Sequence, residues 1–120
     1  MPIRISKTAT AEVAHYLEDH PLEHNRRLHG HSILVTVTAE GDKHLGVVQD
    51  FGVFGAQVKE IVGLLDHTCL NDHFPEIDPP TLENIAEWLG RAMSATGGER
   101  RIVSVKVERP TCGETAEWTP

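Results

Sequence analysis

Cysteines, signal-type segments and long apolar runs are scarce in this chain. Its two cysteines, Cys69 and Cys112, are too few for a disulfide framework. No apolar run approaches the roughly 18 residues of a membrane-spanning helix. The first six residues lack the apolar region of a signal peptide. We therefore expect a cytoplasmic protein with reduced thiols and no membrane partner.

Basic residues and aromatic residues are also few. Lysine and arginine number 11 against 18 acidic residues, for a net charge of −7, which argues against nucleic acid as a partner. An anionic small molecule remains possible, because a site needs only local positive charge. With 5% aromatic and 39% hydrophobic residues, the core is aliphatic and modest. We predict a single domain over residues 1–120 that completes its burial against copies of itself.

The apolar pattern predicts an α+β fold in the order strand, strand, helix, helix, strand, strand. Strands are predicted over residues 3–17, 29–40, 102–107 and 114–118, and residues 23–27 are predicted to be a loop. The first two strands are expected to pair as a long antiparallel hairpin. Helices are expected after Asp50 and after Thr81, both of which suit the N-cap position. The first has its core-facing stripe at Phe51, Phe54 and Val58.

The most informative stretch is His29-Gly30-His31 at the start of the second strand. Residues two apart on a strand face the same side, about 6–7 Å apart, so both imidazoles can approach one ion. Gly30 leaves the approach open. The hairpin would bring His15 to the same place, and three imidazoles are a typical zinc set. A chance pair is the alternative, because the chain has eight histidines.

Asp66 and His67 form a second polar pair, at the predicted end of the first helix. The pair suits general acid–base chemistry, in which the carboxylate orients the imidazole. A helix-end hydrogen bond is the simpler interpretation. Arg26 and Arg27 are either solvated charges or, beside a metal site, ligands for a phosphate.

Several separated motifs match one family in order and spacing. The motifs are Ala14-His15, His29-Gly30-His31, residues 46–51, Leu65-Asp66-His67, Leu70-Asn71 and residues 80–86. The chain resembles the 6-pyruvoyl-tetrahydropterin synthase and 6-carboxytetrahydropterin synthase family. The resemblance implies the T-fold, an antiparallel four-stranded sheet with two helices on one face. It also implies assembly into an oligomeric β-barrel, commonly a homohexamer of two trimers with sites between subunits.

The resemblance also implies roles for individual residues. His15, His29 and His31 would bind zinc and leave a position for the substrate side chain, while Asp66 and His67 would act as the acid–base pair. A late glutamate of the family holds the guanidine-like edge of the pterin. Glu108 is its best positional match, although it is one residue out of phase with the strand alternation, and Glu114 is the alternative.

The chain departs from the family at the catalytic cysteine, whose position is occupied by Asn25. A related variant uses glutamate at the next position, which here is Arg26. Neither an amide nor a guanidinium can transfer a proton at working pH. We expect both residues to line the substrate site, and Glu23 or His24 to be available as replacements; Cys69 is a weaker candidate.

The sequence thus predicts a zinc-dependent lyase similar to 6-carboxytetrahydropterin synthase. Its substrate would be 7,8-dihydroneopterin triphosphate, on the route to deazapurines such as queuosine. One alternative is an enzyme of the same fold that cleaves the pterin side chain as an aldolase does. The other is a pterin-binding protein without catalysis.

Overall fold

A computed structural model describes residues 2–120. The strands are β1 (Ile3–His15), β2 (His29–Gly41), β3 (Thr68–Cys69), β4 (Arg101–Arg109) and β5 (Glu114–Trp118). The helices are α1 (Glu23–Arg26), α2 (Phe51–Gly63), α3 (Leu70–His73) and α4 (Leu82–Ser94). The predicted α+β class is confirmed, and the six predicted elements occur in the predicted order, with three short elements, α1, β3 and α3, added between them.

The sheet has the order β3-β1-β2-β4-β5. Strands β1 and β2 form the predicted antiparallel hairpin, with continuous register from Ile3 opposite Gly41 to His15 opposite His29. Strands β4 and β5 continue the antiparallel sheet on the β2 side. The continuous register places the three histidines at one end of the hairpin.

Helices α2 and α4 cover one face of the sheet and enclose the core. Alternate residues of β1, β2 and β4 point toward them, as the burial of Val13, Val35 and Val105 shows. Both predicted caps are present. An Asp50 carboxylate oxygen accepts from the Val53 N–H at 3.1 Å, and the Thr81 hydroxyl accepts from the Asn84 N–H at 3.2 Å.

The structure corrects the sequence predictions in four places. Residues 23–26 form the one-turn helix α1 where a loop was predicted, and β1 ends at His15, two residues early. The sheet has a fifth strand, because Thr68 and Cys69 pair in parallel with the end of β1. Phe51 is exposed and contributes nothing to the core, since it is the first residue of α2 and lies outside the packed part of the helix.

Candidate metal centre and acid–base pair

The three predicted metal ligands meet at one end of the core-facing side of the sheet. In β1 the buried alternation through Ala11 and Val13 continues to His15. In β2, Ile33 faces the core, and His31 and His29 face the same side because they lie two and four residues before it. The histidines therefore occupy positions that are apolar elsewhere on the same face. We call them the histidine trio.

The trio has the spacing of a metal site. One ligand nitrogen from each ring can be chosen so that all three lie within 4.8 Å of one another. The ring centroids are 4.5 to 5.0 Å apart, and the rings are steeply inclined to each other. Ligand nitrogens this close together can reach one tetrahedral ion.

Backbone carbonyls fix the orientation of two of these rings. Nδ1 of His15 donates to the Pro80 carbonyl, and Nδ1 of His29 donates to the Arg27 carbonyl, each at 2.7 Å. A ring that is neutral and protonated at Nδ1 carries its lone pair on Nε2. Carbonyl partners of this kind are the usual outer support of metal-binding histidines. Both Nε2 atoms are therefore left available to an ion.

His15 is the most buried member of the trio, with 2% of its surface exposed. Burial lowers its pKa to about 4, which keeps the ring neutral at physiological pH. Its Nε2 atom is buried and has no hydrogen-bond partner. Buried polar atoms without a partner are rare and costly, so an ion at this point would satisfy an atom that the protein leaves open.

Arg109 is the closest charged neighbour of the trio. Its Nη1 lies 3.4 Å from Nε2 of His31, and its Nη2 forms an ion pair with Glu114. Burial and the nearby guanidinium lower the pKa of His31. The resulting neutral ring is the form that binds metals.

A cavity of about 580 Å³ opens onto His29 and His31, and we call it the trio cavity. Its other lining residues come from the segment after β1 and from the β4–β5 hairpin. They are Leu17, His20, His24, Asn25, Arg109, Cys112 and Glu114. The cavity is large enough for a small heterocyclic ligand. Asn25, one of the predicted substrate-site residues, and His24, a possible replacement for the missing cysteine, both lie on its wall.

The sequence interpretation gave no role in the site to four of the cavity residues, Leu17, His20, Arg109 and Cys112. The alternation Val105, Val107 predicts that position 109 faces the trio, so the signal for Arg109 was present in the sequence. Cys112 lies in the turn between β4 and β5. Its position over the cavity depends on how the hairpin closes, which strand periodicity does not indicate.

The Asp66–His67 pair lies at the β3 edge of the sheet, on the face that points away from the core. We call this the outer face. Asp66 accepts from the Glu12 N–H at 2.7 Å, and the His67 N–H donates to the Glu12 carbonyl at 2.6 Å. The contact fixes both residues to the outer edge of β1. His67 has a φ of 58°, in the left-handed region that residues other than glycine seldom adopt. The fixed backbone gives an exposed ring a defined position.

The predicted orienting contact within the pair is present. Oδ2 of Asp66 lies 2.9 Å from Nδ1 of His67, whose side chain is 79% exposed. The Glu12 N–H and the neighbouring imidazole lower the pKa of Asp66, so it stays ionised. A carboxylate at Nδ1 leaves Nε2 of His67 to face solvent or a substrate.

His67 and the trio open mainly onto different cavities. His67 and Cys69 line a second, shallower cavity of about 420 Å³, whose floor is made by outward-facing residues such as Glu12 and Ser32. His31 is the trio member that borders both cavities. Within one chain, the acid–base pair and the metal-binding face are therefore separated by the sheet.

Of the remaining predicted residues, Asn25 and Glu114 line the trio cavity, whereas Glu108 and Arg26 do not. Glu108 has the parity of the outer face and pairs with Lys106 at 2.9 Å, whereas Glu114 lines the trio cavity. Arg26 donates to the His20 and Pro21 carbonyls, at 2.7 and 3.2 Å, and is not among the residues that line that cavity. Asn25 lies against the His20 ring, with its amide nitrogen 3.3 Å from both ring nitrogens.

Three imidazoles that converge at the end of a sheet, beside an open cavity, have the arrangement of a metal-binding small-molecule site. The family model of 6-pyruvoyl tetrahydropterin synthase matches residues 4–120. The chain belongs to this family, and at that level it is a pterin-processing enzyme. None of the helices in residues 2–120 has the length and apolarity to cross a membrane.

Two relatives carry more specific names. The chain is 37% identical over 89 residues to dihydroneopterin monophosphate aldolase of Pyrococcus furiosus, covering 74% of this chain and 73% of the relative. It is 38% identical over 80 residues to an Archaeoglobus fulgidus protein provisionally named 6-carboxy-5,6,7,8-tetrahydropterin synthase, covering 66% and 67% of the two chains.

Solved structures show the same fold at lower identity. The 6-pyruvoyl tetrahydropterin synthase of Caenorhabditis elegans superposes with a TM-score of 0.83 at 18% identity, over 100% of this chain and 96% of that one. Protein WS1659 of Wolinella succinogenes has a TM-score of 0.79 at 20% identity, over 99% and 98% of the two chains. The predicted T-fold is confirmed.

Proposed function

We propose that this protein is a zinc-dependent lyase that cleaves the side chain of a phosphorylated 7,8-dihydroneopterin. The observation that carries the proposal is the histidine trio, with the Nε2 atoms of His15 and His29 left open beside a cavity. Three neutral imidazoles with a free fourth position suit catalytic zinc. Zinc bound there would act as a Lewis acid toward a hydroxyl or carbonyl of the substrate side chain.

Side-chain cleavage makes modest demands on proton transfer. The 2′-hydroxyl loses its proton, and its carbon becomes an aldehyde as the C1′–C2′ bond breaks. The electron pair of the broken bond moves into the conjugated C6=N5 bond of the pterin. A proton then adds at C1′ and restores that bond. One proton leaves and one returns, so a single acid–base group can perform both steps.

His67 is the residue we assign to this proton transfer. Its Nδ1 is held by Asp66, and its Nε2 is exposed to the second cavity. Asn25, at the position of the family's cysteine, has no proton to exchange. A reaction that needs only one carrier is compatible with that replacement, and the 37% identity to an aldolase supports the same choice.

The complete site is proposed to form between copies of the chain. The trio lies on the core-facing side of the sheet, whereas the outer face carries Asp66, His67 and Glu108. A second copy could bring its outer face against the trio cavity of the first. Such a homo-oligomer, which we take to be the predicted hexamer of two trimers, would unite the metal with the acid–base pair.

Glu108 is proposed to hold the donor edge of the pterin, since it shares the outer face with His67. Glu114 is the alternative, because it lines the trio cavity directly. A carboxylate suits this role because its two oxygens accept from adjacent N–H groups of a guanidine-like edge. The proposed location is the cytoplasm.

The second candidate reaction is that of 6-carboxytetrahydropterin synthase on 7,8-dihydroneopterin triphosphate, in the queuosine route. The Archaeoglobus fulgidus relative favours it. It moves protons between adjacent carbons while phosphate leaves, and would require a replacement for the missing thiol. A pterin-binding protein without catalysis is the remaining alternative.

One assay separates these candidates. The purified protein is analysed for zinc, loaded with zinc where needed, and incubated with dihydroneopterin monophosphate or triphosphate while products are followed by mass. A hydroxymethyl dihydropterin supports the proposed cleavage. A carboxytetrahydropterin would replace it with the synthase reaction. Tight pterin binding without any product would contradict both reactions.

A further inference from the structure

Two buried side-chain nitrogens in residues 2–120 have no hydrogen-bond partner, and both belong to the trio site. One is Nε2 of His15 and the other is Nε of Arg109. A metal ion accounts for the first atom. The second is an N–H donor, which a cation cannot satisfy, so its partner must be an acceptor atom of a ligand or a water.

Arg109 is held at the cavity wall from two sides. Glu114 pairs with its Nη2, while its Nη1 approaches His31 at 3.4 Å, and the side chain is 20% exposed. Both Arg109 and Glu114 line the cavity beside the trio. Arginine in a fixed orientation recognises oxyanions through its planar set of donors.

Occupation of the trio by a metal would release one of these donors. In a neutral His31 ring, one nitrogen binds the ion and the other carries the proton. Whichever nitrogen binds the ion, Nε2 loses the lone pair that could accept from Arg109. The guanidinium would then have two donor nitrogens without a partner, Nε and Nη1, beside a divalent cation, whose charge favours an anion at this point.

We propose that Arg109, at the cavity wall beside the trio, is the oxyanion site that takes the phosphate ester of the substrate, while the open metal position is left to the side-chain hydroxyl. This inference rests on the proposed function for the identity of the substrate and gives it a specificity residue. Glu114 acts here as the positioning residue that orients the guanidinium.

The first test measures binding of inorganic phosphate by calorimetry, with zinc-loaded and zinc-free protein. We expect the zinc-loaded protein to bind phosphate, and zinc removal to weaken the affinity at least tenfold. Arg109→Gln should weaken it by about ten- to a hundredfold, the usual range for charge-assisted hydrogen bonds. Zinc content should stay unchanged.

Arg91→Gln is the matched control, because Arg91 also pairs with a glutamate, Glu87, but lies on an exposed helix face. It should bind phosphate as the unmodified protein does. Equal affinities of the Arg109→Gln and Arg91→Gln proteins for phosphate would overturn the proposal. So would phosphate binding that does not depend on zinc.

The second test compares dihydroneopterin monophosphate with unphosphorylated dihydroneopterin. The unmodified protein should prefer the phosphorylated substrate in kcat/KM, and Arg109→Gln should reduce that preference at least tenfold through KM. An unchanged preference would overturn the inference. If neither compound reacts, the proposed cleavage fails, while the phosphate titration still decides the role of Arg109.

Discussion

The two faces of the β1–β2 hairpin carry functional groups of opposite character. The trio is partly buried, and carbonyl groups fix the orientation of two of its rings, whereas His67 on the other face is largely exposed. The trio is assembled within one chain, and its ligand atoms already have the spacing of a metal site. The Asp66–His67 pair has its internal contact but nothing in the same chain to act on. The difference is what the proposal of a site completed by oligomer formation requires.

Loss of a trio ligand should give the largest effect. His29→Ala removes one of three ligands, so we expect zinc affinity to fall by about a hundredfold or more. Loss of a residue that only supports a metal ligand costs at most about a hundredfold, and loss of the ligand itself should cost at least as much. Activity should fall with it. Zinc per chain after dialysis against a weak chelator measures the loss.

His44→Ala is the control for that variant, since His44 is an exposed histidine outside the trio. It should retain full zinc content. If both variants retain zinc to the same degree, the trio is not the metal site and the contrast between the two faces disappears.

Loss of the acid–base pair should leave the metal in place. His67→Ala is expected to lower kcat by about 10²- to 10⁴-fold, the usual contribution of general acid–base catalysis. Zinc content and KM should change little, because His67 lies outside the trio cavity. Asp66→Asn should have a smaller effect in the same direction, since the imidazole remains but loses its orienting charge.

A parallel loss of zinc in the His67→Ala protein would contradict this division of labour. It would mean that the two faces depend on each other within a single chain.

The two candidate glutamates offer a finer comparison. Glu108→Gln should raise KM for the pterin about tenfold, because an amide keeps only one of the two acceptor oxygens of the pair. Glu114→Gln should instead reduce the preference for phosphorylated substrate, since it loosens Arg109. Steady-state kinetics with both dihydroneopterins separate the two effects. If Glu114→Gln raised KM for the pterin and Glu108→Gln did not, Glu114 would be the pterin anchor.

Asn25→Cys should have the smallest effect on the proposed cleavage, which already has a proton carrier. It should increase any 6-carboxytetrahydropterin formation from dihydroneopterin triphosphate, because a thiol would return to the cavity wall. Asn25→Ser, which supplies no comparable acid, is the control. A large gain in cleavage with cysteine alone would show that His67 is not the proton carrier.

The sequence predicted the trio because its geometry is local. A period of two fixes the His29–His31 pair, and the hairpin register fixes His15 opposite His29. Asp66 and His67 were predicted as a pair for the same reason, since they are adjacent. Their position on the outer face was not predictable, because it depends on the docking to Glu12 that also creates β3.

The cavity wall was predicted less completely. Asn25 was assigned to the substrate site because it occupies the position of the family's cysteine, and it lines the trio cavity in the structure. Cys112 and Glu114 reach the wall through the closure of the β4–β5 turn, a tertiary feature without a periodic signal. Glu108 was chosen because it matched the family motif best. The alternation of β4, however, places Arg109 on the same face of the sheet as the trio and Glu108 on the opposite face.

Mixed oligomers test the division between the faces most directly. His29→Ala and His67→Ala chains, each inactive alone, are unfolded together, refolded in equal amounts and loaded with zinc. If each site takes its metal from one chain and its acid–base pair from another, random mixing should restore activity to about a quarter of the unmodified level. Mixtures that stay as inactive as the separate variants, although the chains co-assemble, would contradict a site shared between subunits.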